Sequence, residues 1–116
     1  MRERRKFIRI PESTPITYEI MDNPETGEHL TKDISQGGIR FFIHRFVPVN
    51  SFLRIKLFLK KITFYFEALV KVVWIRRDPH GERFEIGVEF INMPREATEH
   101  LIEYIQSVLN LMSASQ

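Results

Sequence analysis

The sequence predicts an all-β domain that ends in one α-helix, on three observations. First, two long segments alternate apolar and polar side chains at strand period. Leu53, Ile55, Leu57 and Leu59 alternate with Arg54, Lys56 and Lys60, and Phe64, Phe66, Ala68, Val70, Val72 and Trp74 share one face of the next segment. Second, ten Phe, three Tyr and one Trp suit the packing of a pleated core. Third, the spacing changes after Pro94: Ala97, Leu101, Ile105, Val108 and Met112 fall on one helical face, widened by Ile102, Tyr104 and Leu109. A chain of 116 residues, 43% hydrophobic and 28% charged, is one ordinary globular domain rather than a disordered segment.

The elements follow in order. Residues 1–10 form a basic arm, whose far end Phe7, Ile8 and Ile10 tether to the body. Pro11 and Pro15 break helix and bracket a turn. Residues 16–20 alternate and read as the first strand, and 22–27 form a turn cluster. Residues 29–35 and 39–43 are the second and third strands, with a turn between them at Gly37-Gly38. A loop over 46–50 contains Pro48. The strand at 53–59 turns at Lys60-Lys61 into the long strand 64–75; only Phe58 departs from its alternation. The second face of that long strand carries Leu69, Val73 and Ile75, so a helix or a second subunit is expected to cover it. Residues 76–81 read as a turn, and Phe84, Ile86, Val88 and Phe90 as the inner face of the last strand. The helix starts near Pro94, the body extends to 112, and residues 113–116 fray.

Composition excludes several function classes. Without Cys there is no disulfide and no thiolate site, which is compatible with a cytoplasmic location. No apolar run approaches the ~18 residues of a membrane span, so no membrane insertion is expected. His29, His44, His80 and His100 are not at metal-ligand spacing, and neither G-x-S-x-G nor a P-loop is present. No catalytic residue, metal or cofactor is expected.

Two stretches carry ligand chemistry. In Asp33-Ile34-Ser35-Gln36-Gly37-Gly38, Asp33 and Ser35 point to the same face of a strand. Asp33 accepts hydrogen bonds and Ser35 donates and accepts. The two glycines would allow positive φ and close approach of a ligand. The same six residues also suit a strand-end turn with a side-chain hydrogen bond. In the second stretch, Arg4, Arg5 and Arg9 are forks for phosphate or for the O6/N7 edge of guanine. The net charge of +2 is concentrated there, which suits a solvated tail, a nucleic-acid or membrane patch, or an anion-binding arm. A carboxylate complements the N1–H and N2–H donors of guanine, which an arginine cannot.

Arg5-x-x-x-Arg9 followed by Asp33-x-Ser35-x-x-Gly38 resembles the signature of the PilZ domain family, and Gly87-Val88-Glu89-Phe90 before a terminal helix resembles the family's ending. The resemblance spans residues 2 to 110. It implies a six-stranded antiparallel β-barrel with a C-terminal helix that binds cyclic di-GMP. Arg5, Arg9, Asp33, Ser35 and Gly38 are then the ligand residues, with Arg4 a further cation for a second ligand molecule or else a tail residue. Arg40 is a possible phosphate contact or an outward strand residue. Trp74 is a possible pocket wall or a core aromatic. The arm would fold over the barrel on binding and signal to a downstream protein in trans; a homo-oligomer is possible. Two alternatives stay open: an interaction module of the same fold that binds no ligand, and a small barrel for RNA or single-stranded DNA, disfavoured because the aromatics read as buried.

Overall fold

A computed structural model describes residues 7–21 and 26–114. Arg4, Arg5 and residues 22–25 lie outside them. The described elements are β1 (Arg9–Pro11), β2 (Pro15–Ile20), β3 (Thr26–Ser35), β4 (Gly38–Ile43), β5 (Phe52–Leu59), β6 (Phe64–Arg77), β7 (Phe84–Asn92) and α1 (Arg95–Ala114).

The strands are hydrogen-bonded in the order β1-β3-β2-β5-β6-β7-β4, and β4 pairs back to β3. Six strands, β3-β2-β5-β6-β7-β4, thus close into an antiparallel barrel with β1 outside the ring. Closure satisfies strand edges that would otherwise invite pairing with another chain. β1 and β2 lie end to end along one edge of β3, with Pro11 opposite Asp33 and Pro15 opposite Leu30. Thr31 stitches the join. Its backbone N–H donates to Thr14 O at 2.9 Å and its hydroxyl to Glu12 O at 2.6 Å.

The inward residues are those that alternation selects: Ile16, Tyr18, Ile20, Ile34, Ile39, Phe41, Leu53, Ile55, Leu57, Val70, Val72, Ile86 and Val88 are buried in one cluster. Ile10 tethers β1 to the same core, while Phe7 and Ile8 remain exposed. Ala97, Leu101, Tyr104, Ile105 and Val108 bring α1 onto the cluster. Ile102 and Met112, expected on the packing stripe, are exposed, and Tyr104 takes the central place. Pro94 accepts the first helical bond, from Thr98 N at 3.0 Å, so it stands just before the helix. Ser113, expected to fray, is helical. No described helix is long and apolar enough to cross a membrane.

Two bulges revise the sequence reading. Pairing shifts register between Thr31 and Asp33, so Lys32 is an extra residue in β3. Pairing also shifts between Val72 and Trp74, which leaves Val73 unpaired. Beyond Val73 the faces of β6 exchange: Ile75 packs on the core, and Trp74 leaves it. Trp74 is therefore not an inner-face aromatic, and Ile75 needs no external cover. Phe58 is an apolar residue at an outward position, where its ring packs at a tilt against its cross-strand partner Tyr65, with ring centres 4.5 Å apart.

Candidate functional site

The registers place the candidate residues on one outer face. Arg9 of β1 lies opposite Ser35 of β3, and Asp33 opposite Arg40 of β4. Arg40 lies opposite Gly87 of β7, and Gly87 opposite Trp74 of β6. Facing residues of paired strands share a face, so Asp33, Arg40, Gly87 and Trp74 form a row across four neighbouring strands. Their neighbours along the chain, Ile34, Ile39, Ile86 and Val88, are buried inside.

Asp33 is 4% exposed and makes the centre of the site. Arg9 Nη1 donates to its Oδ1 at 2.6 Å. Arg40 Nε donates to its Oδ2 at 2.6 Å, and Arg40 Nη2 donates to the same oxygen. Burial of a carboxylate is tolerated when its charge is matched and its lone pairs are filled. The hydrogen bond to Asp33 raises the Arg40 pKa further, against the effect of burial. Among the described residues Arg9 Nε is buried without a hydrogen-bond partner, so they do not fully satisfy Arg9.

Ser35 holds the turn. Its Oγ accepts from Gly37 N and Gly38 N, each at 3.1 Å, and donates to Gly38 O at 3.3 Å. The strand-end turn read from the sequence is thus formed. The positive φ expected of its glycines is not found: none of the described glycines has one. A Cβ on Gly38 would lie 2.0 Å from Val88 O, and one on Gly37 would lie 2.7 Å from Phe7 Cδ2. The room left by these glycines is taken by the β7 backbone and by the Phe7 ring.

Trp74 is half-buried and lies over Gly87, where a Cβ would come 2.3 Å from the indole Nε1. The Arg76 guanidinium sits 5.7 Å from the Trp74 ring centre. Arg76, read from the sequence as the start of the turn over 76–81, lies instead within β6 and is part of the network.

Sequence reasoning missed Glu85. Its carboxylate is buried beside the row and receives Arg76 Nε at 3.1 Å and Nη2 at 2.8 Å on Oε1. Lys32 Nζ reaches Oε2 at 3.2 Å, and Arg40 Nη1 the same oxygen at 3.5 Å. Burial opposes ionisation of Glu85, but hydrogen bonds from Arg76 and Lys32 and their charges outweigh it and hold the carboxyl below its usual range. Its sequence position gives no signal beyond an outward residue in an alternating strand. The connection to Arg40 arises because β4, β7 and β6 are neighbours. The bulge that turns Lys32 outward is equally silent in the sequence.

The assembly is a shallow face with four cations, Arg9, Lys32, Arg40 and Arg76, and two carboxylates, Asp33 and Glu85. The excess of two positive charges, an aromatic surface and a guanine-complementary carboxylate suit a dianion with purine bases. Among the described residues no group of three or more His, Cys, Asp or Glu side chains is arranged to hold a metal.

The fold is shared with proteins of known structure. The chain superposes on the Bacillus subtilis inhibitor of motility MotI/DgrA with a TM-score of 0.80 and 23% identity, over 93% of this chain and 53% of that one. Against the complex of K. pneumonia MrkH with c-di-GMP the TM-score is 0.82, with 15% identity over 98% of this chain and 56% of that one. Against the PilZ domain of Escherichia coli YcgR with c-di-GMP it is 0.70, with 17% identity over 97% and 96%. The chain therefore spans about half the length of MotI/DgrA and MrkH and nearly all of the isolated YcgR domain. No curated protein sequence matches it. The PilZ domain model matches residues 3–107, and with the barrel and its terminal helix formed, this chain belongs to the PilZ domain family.

Proposed function

We propose that this chain is a cyclic di-GMP receptor whose ligand lies on the outer face formed by Arg9, Asp33 and the Ser35–Gly38 turn. The observation that carries the reading is the contact of Arg9 with Asp33 at 2.6 Å, which joins the two motif halves in one site. Arg5, next in the motif, supplies a second fork for phosphate and guanine edges. Arg4 adds a cation that a second ligand molecule would use. Asp33 accepts from a guanine Watson–Crick edge, and the exposed part of Trp74 offers a face to a purine. Two similar proteins were solved with c-di-GMP, MrkH and YcgR, which supports the same ligand class here. Arg9 and Ile10, at the end of the expected arm, are already paired with β3, so it is the part of the arm before them that folds over the barrel when the ligand arrives, and the changed surface is passed to a partner protein. A similar protein is named for inhibiting motility, in keeping with an effector that acts on another protein.

Calorimetric titration with cyclic di-GMP and, separately, cyclic di-AMP tests this. Binding of the guanine ligand is expected, and adenine, which lacks the N1–H and N2–H donors, should bind far more weakly. Equal affinity for both would remove the role of Asp33. No binding of either would leave the chain an interaction module of the same fold.

A further inference from the structure

We infer that Glu85 is a positioning residue of the ligand site: it takes Arg40 over from Asp33 when the cyclic dinucleotide binds. The inference rests on the ligand reading above and concerns how Asp33 is made available.

Both oxygens of Asp33 are engaged without ligand, Oδ2 by two donors. One oxygen holds Arg9 and the other holds two nitrogens of Arg40. A guanine edge that donates N1–H and N2–H to the two oxygens needs Oδ2, whose two lone pairs Arg40 fills, so Arg40 must leave first. A buried or half-buried guanidinium without a counter-ion is costly, so it leaves only for another acceptor. Arg40 already lies between two carboxylates, with Nη1 3.5 Å from Glu85 Oε2. That distance is at the edge of hydrogen bonding, and a small rotation shortens it.

Glu85 can receive Arg40 because its present partners can leave. The Lys32 and Arg76 side chains are 42% and 63% exposed and hydrate when they swing out, whereas the Glu85 side chain is 5% exposed and does not. Other charges near the exchange are already matched. Arg83 pairs with Asp78 at 2.6 Å and stacks on Phe42, and Lys71 reaches Glu89 at 3.8 Å. The released Lys32 and Arg76 then stand free beside the ligand's phosphates. One buried carboxylate thus frees the guanine acceptor and delivers two cations.

A double-mutant cycle on the full chain tests the hand-over, with cyclic di-GMP as the probe and calorimetry as the readout. Glu85→Gln should weaken binding about tenfold, the scale of one lost hydrogen bond to a charged group. In an Arg40→Gln background the same substitution should have no effect, because no guanidinium needs a new partner. Glu85→Asp should recover part of the loss. Nitrogen-15 spectra of the arginine Nε–H groups give a second readout. The Arg40 signal should move on ligand addition in the unsubstituted chain and stay still in Glu85→Gln. Equal weakening in both backgrounds, or tighter binding by Glu85→Gln, would overturn the hand-over and leave the receptor reading intact. Absence of binding by the unsubstituted chain would overturn both. Thermal unfolding of each variant separates these outcomes from loss of fold.

Discussion

Glu12 and Asp33 are both nearly buried carboxylates beside β1, yet they are held in opposite ways. Glu12 accepts the hydroxyl of Tyr104, which is wholly buried on α1, and Lys61 Nζ at 3.2 Å on the same oxygen. Tyr104 cannot hydrate without opening the core. Asp33 instead holds guanidinium groups whose side chains are 20% and 30% exposed, one of which has a second carboxylate within reach. The first arrangement is a latch between helix and barrel. The second is a set of exchangeable pairs. A buried carboxylate is thus by itself no sign of function, and what matters is whether its partners can go elsewhere.

The largest effect that tests the contrast is on the latch. Tyr104→Ala should lower stability by about 3–5 kcal/mol, as expected for truncating a buried aromatic. Tyr104→Phe should cost about 1–3 kcal/mol, because it removes only a hydrogen bond to a charged group. Urea unfolding measures both. Neither should alter the affinity of the folded fraction for cyclic di-GMP. A loss of affinity in a stable Tyr104→Phe protein would show that latch and site are one unit.

Arg9→Ala, by contrast, should lower affinity. Ligand binding should fall by about 1–3 kcal/mol for a lost guanidinium–guanine contact, and further if Arg9 also meets phosphate. Stability should fall by about 2 kcal/mol, the scale of one lost hydrogen bond to a charged group, because the buried Asp33 retains Arg40 as counter-ion. Calorimetry on the purified variant decides it, and unchanged affinity would remove Arg9 from the site.

Lys61→Ala probes the exposed end of the latch. Its side chain is half exposed, so the expected cost is below about 1 kcal/mol and shrinks with added salt. Thermal melts at two salt concentrations measure it. A larger, salt-independent cost would mean that Lys61, rather than Tyr104, anchors Glu12.

Much of the fold was legible because one buried face imposes period two on strands and one packed stripe imposes period 3.6 on a helix. Leu53 to Leu59 and Phe64 to Val72 show the former, and Ala97 to Val108 the latter. Asp33, Ser35, Arg9 and Arg40 were legible as candidates because their motif spacing is local. Bulges at Lys32 and Val73 were not, since an inserted residue leaves composition unchanged and reveals itself only in pairing. Trp74 was consequently assigned to the wrong face. Glu85 and the Glu12–Tyr104 contact were hidden for a different reason. Their partners lie 45 and 92 residues away, and only barrel closure and helix docking bring them together.

The two regions should also fail at opposite ends of the pH scale. Glu85 has its pKa held below its usual 4.5 in the folded chain. The unfolded chain then binds more protons at acid pH, so stability rises with pH through that range. This contribution is complete above about pH 4.5 and is lost as pH falls toward the depressed folded value. Tyr104 is shifted the other way: burial, then the Glu12 hydrogen bond and charge, raise its pKa above the usual 10.0. The folded chain keeps that proton where the unfolded chain has lost it. Its contribution is complete below pH 10 and falls as pH rises beyond it. Stability between pH 6 and 8 should therefore be insensitive to both groups, the smallest effect of the set. Chemical unfolding across pH should show a shallower acid limb in Glu85→Gln with the alkaline limb unchanged. Tyr104→Phe should flatten the alkaline limb alone. A change in both limbs from either substitution would mean that the exchangeable network and the latch are coupled.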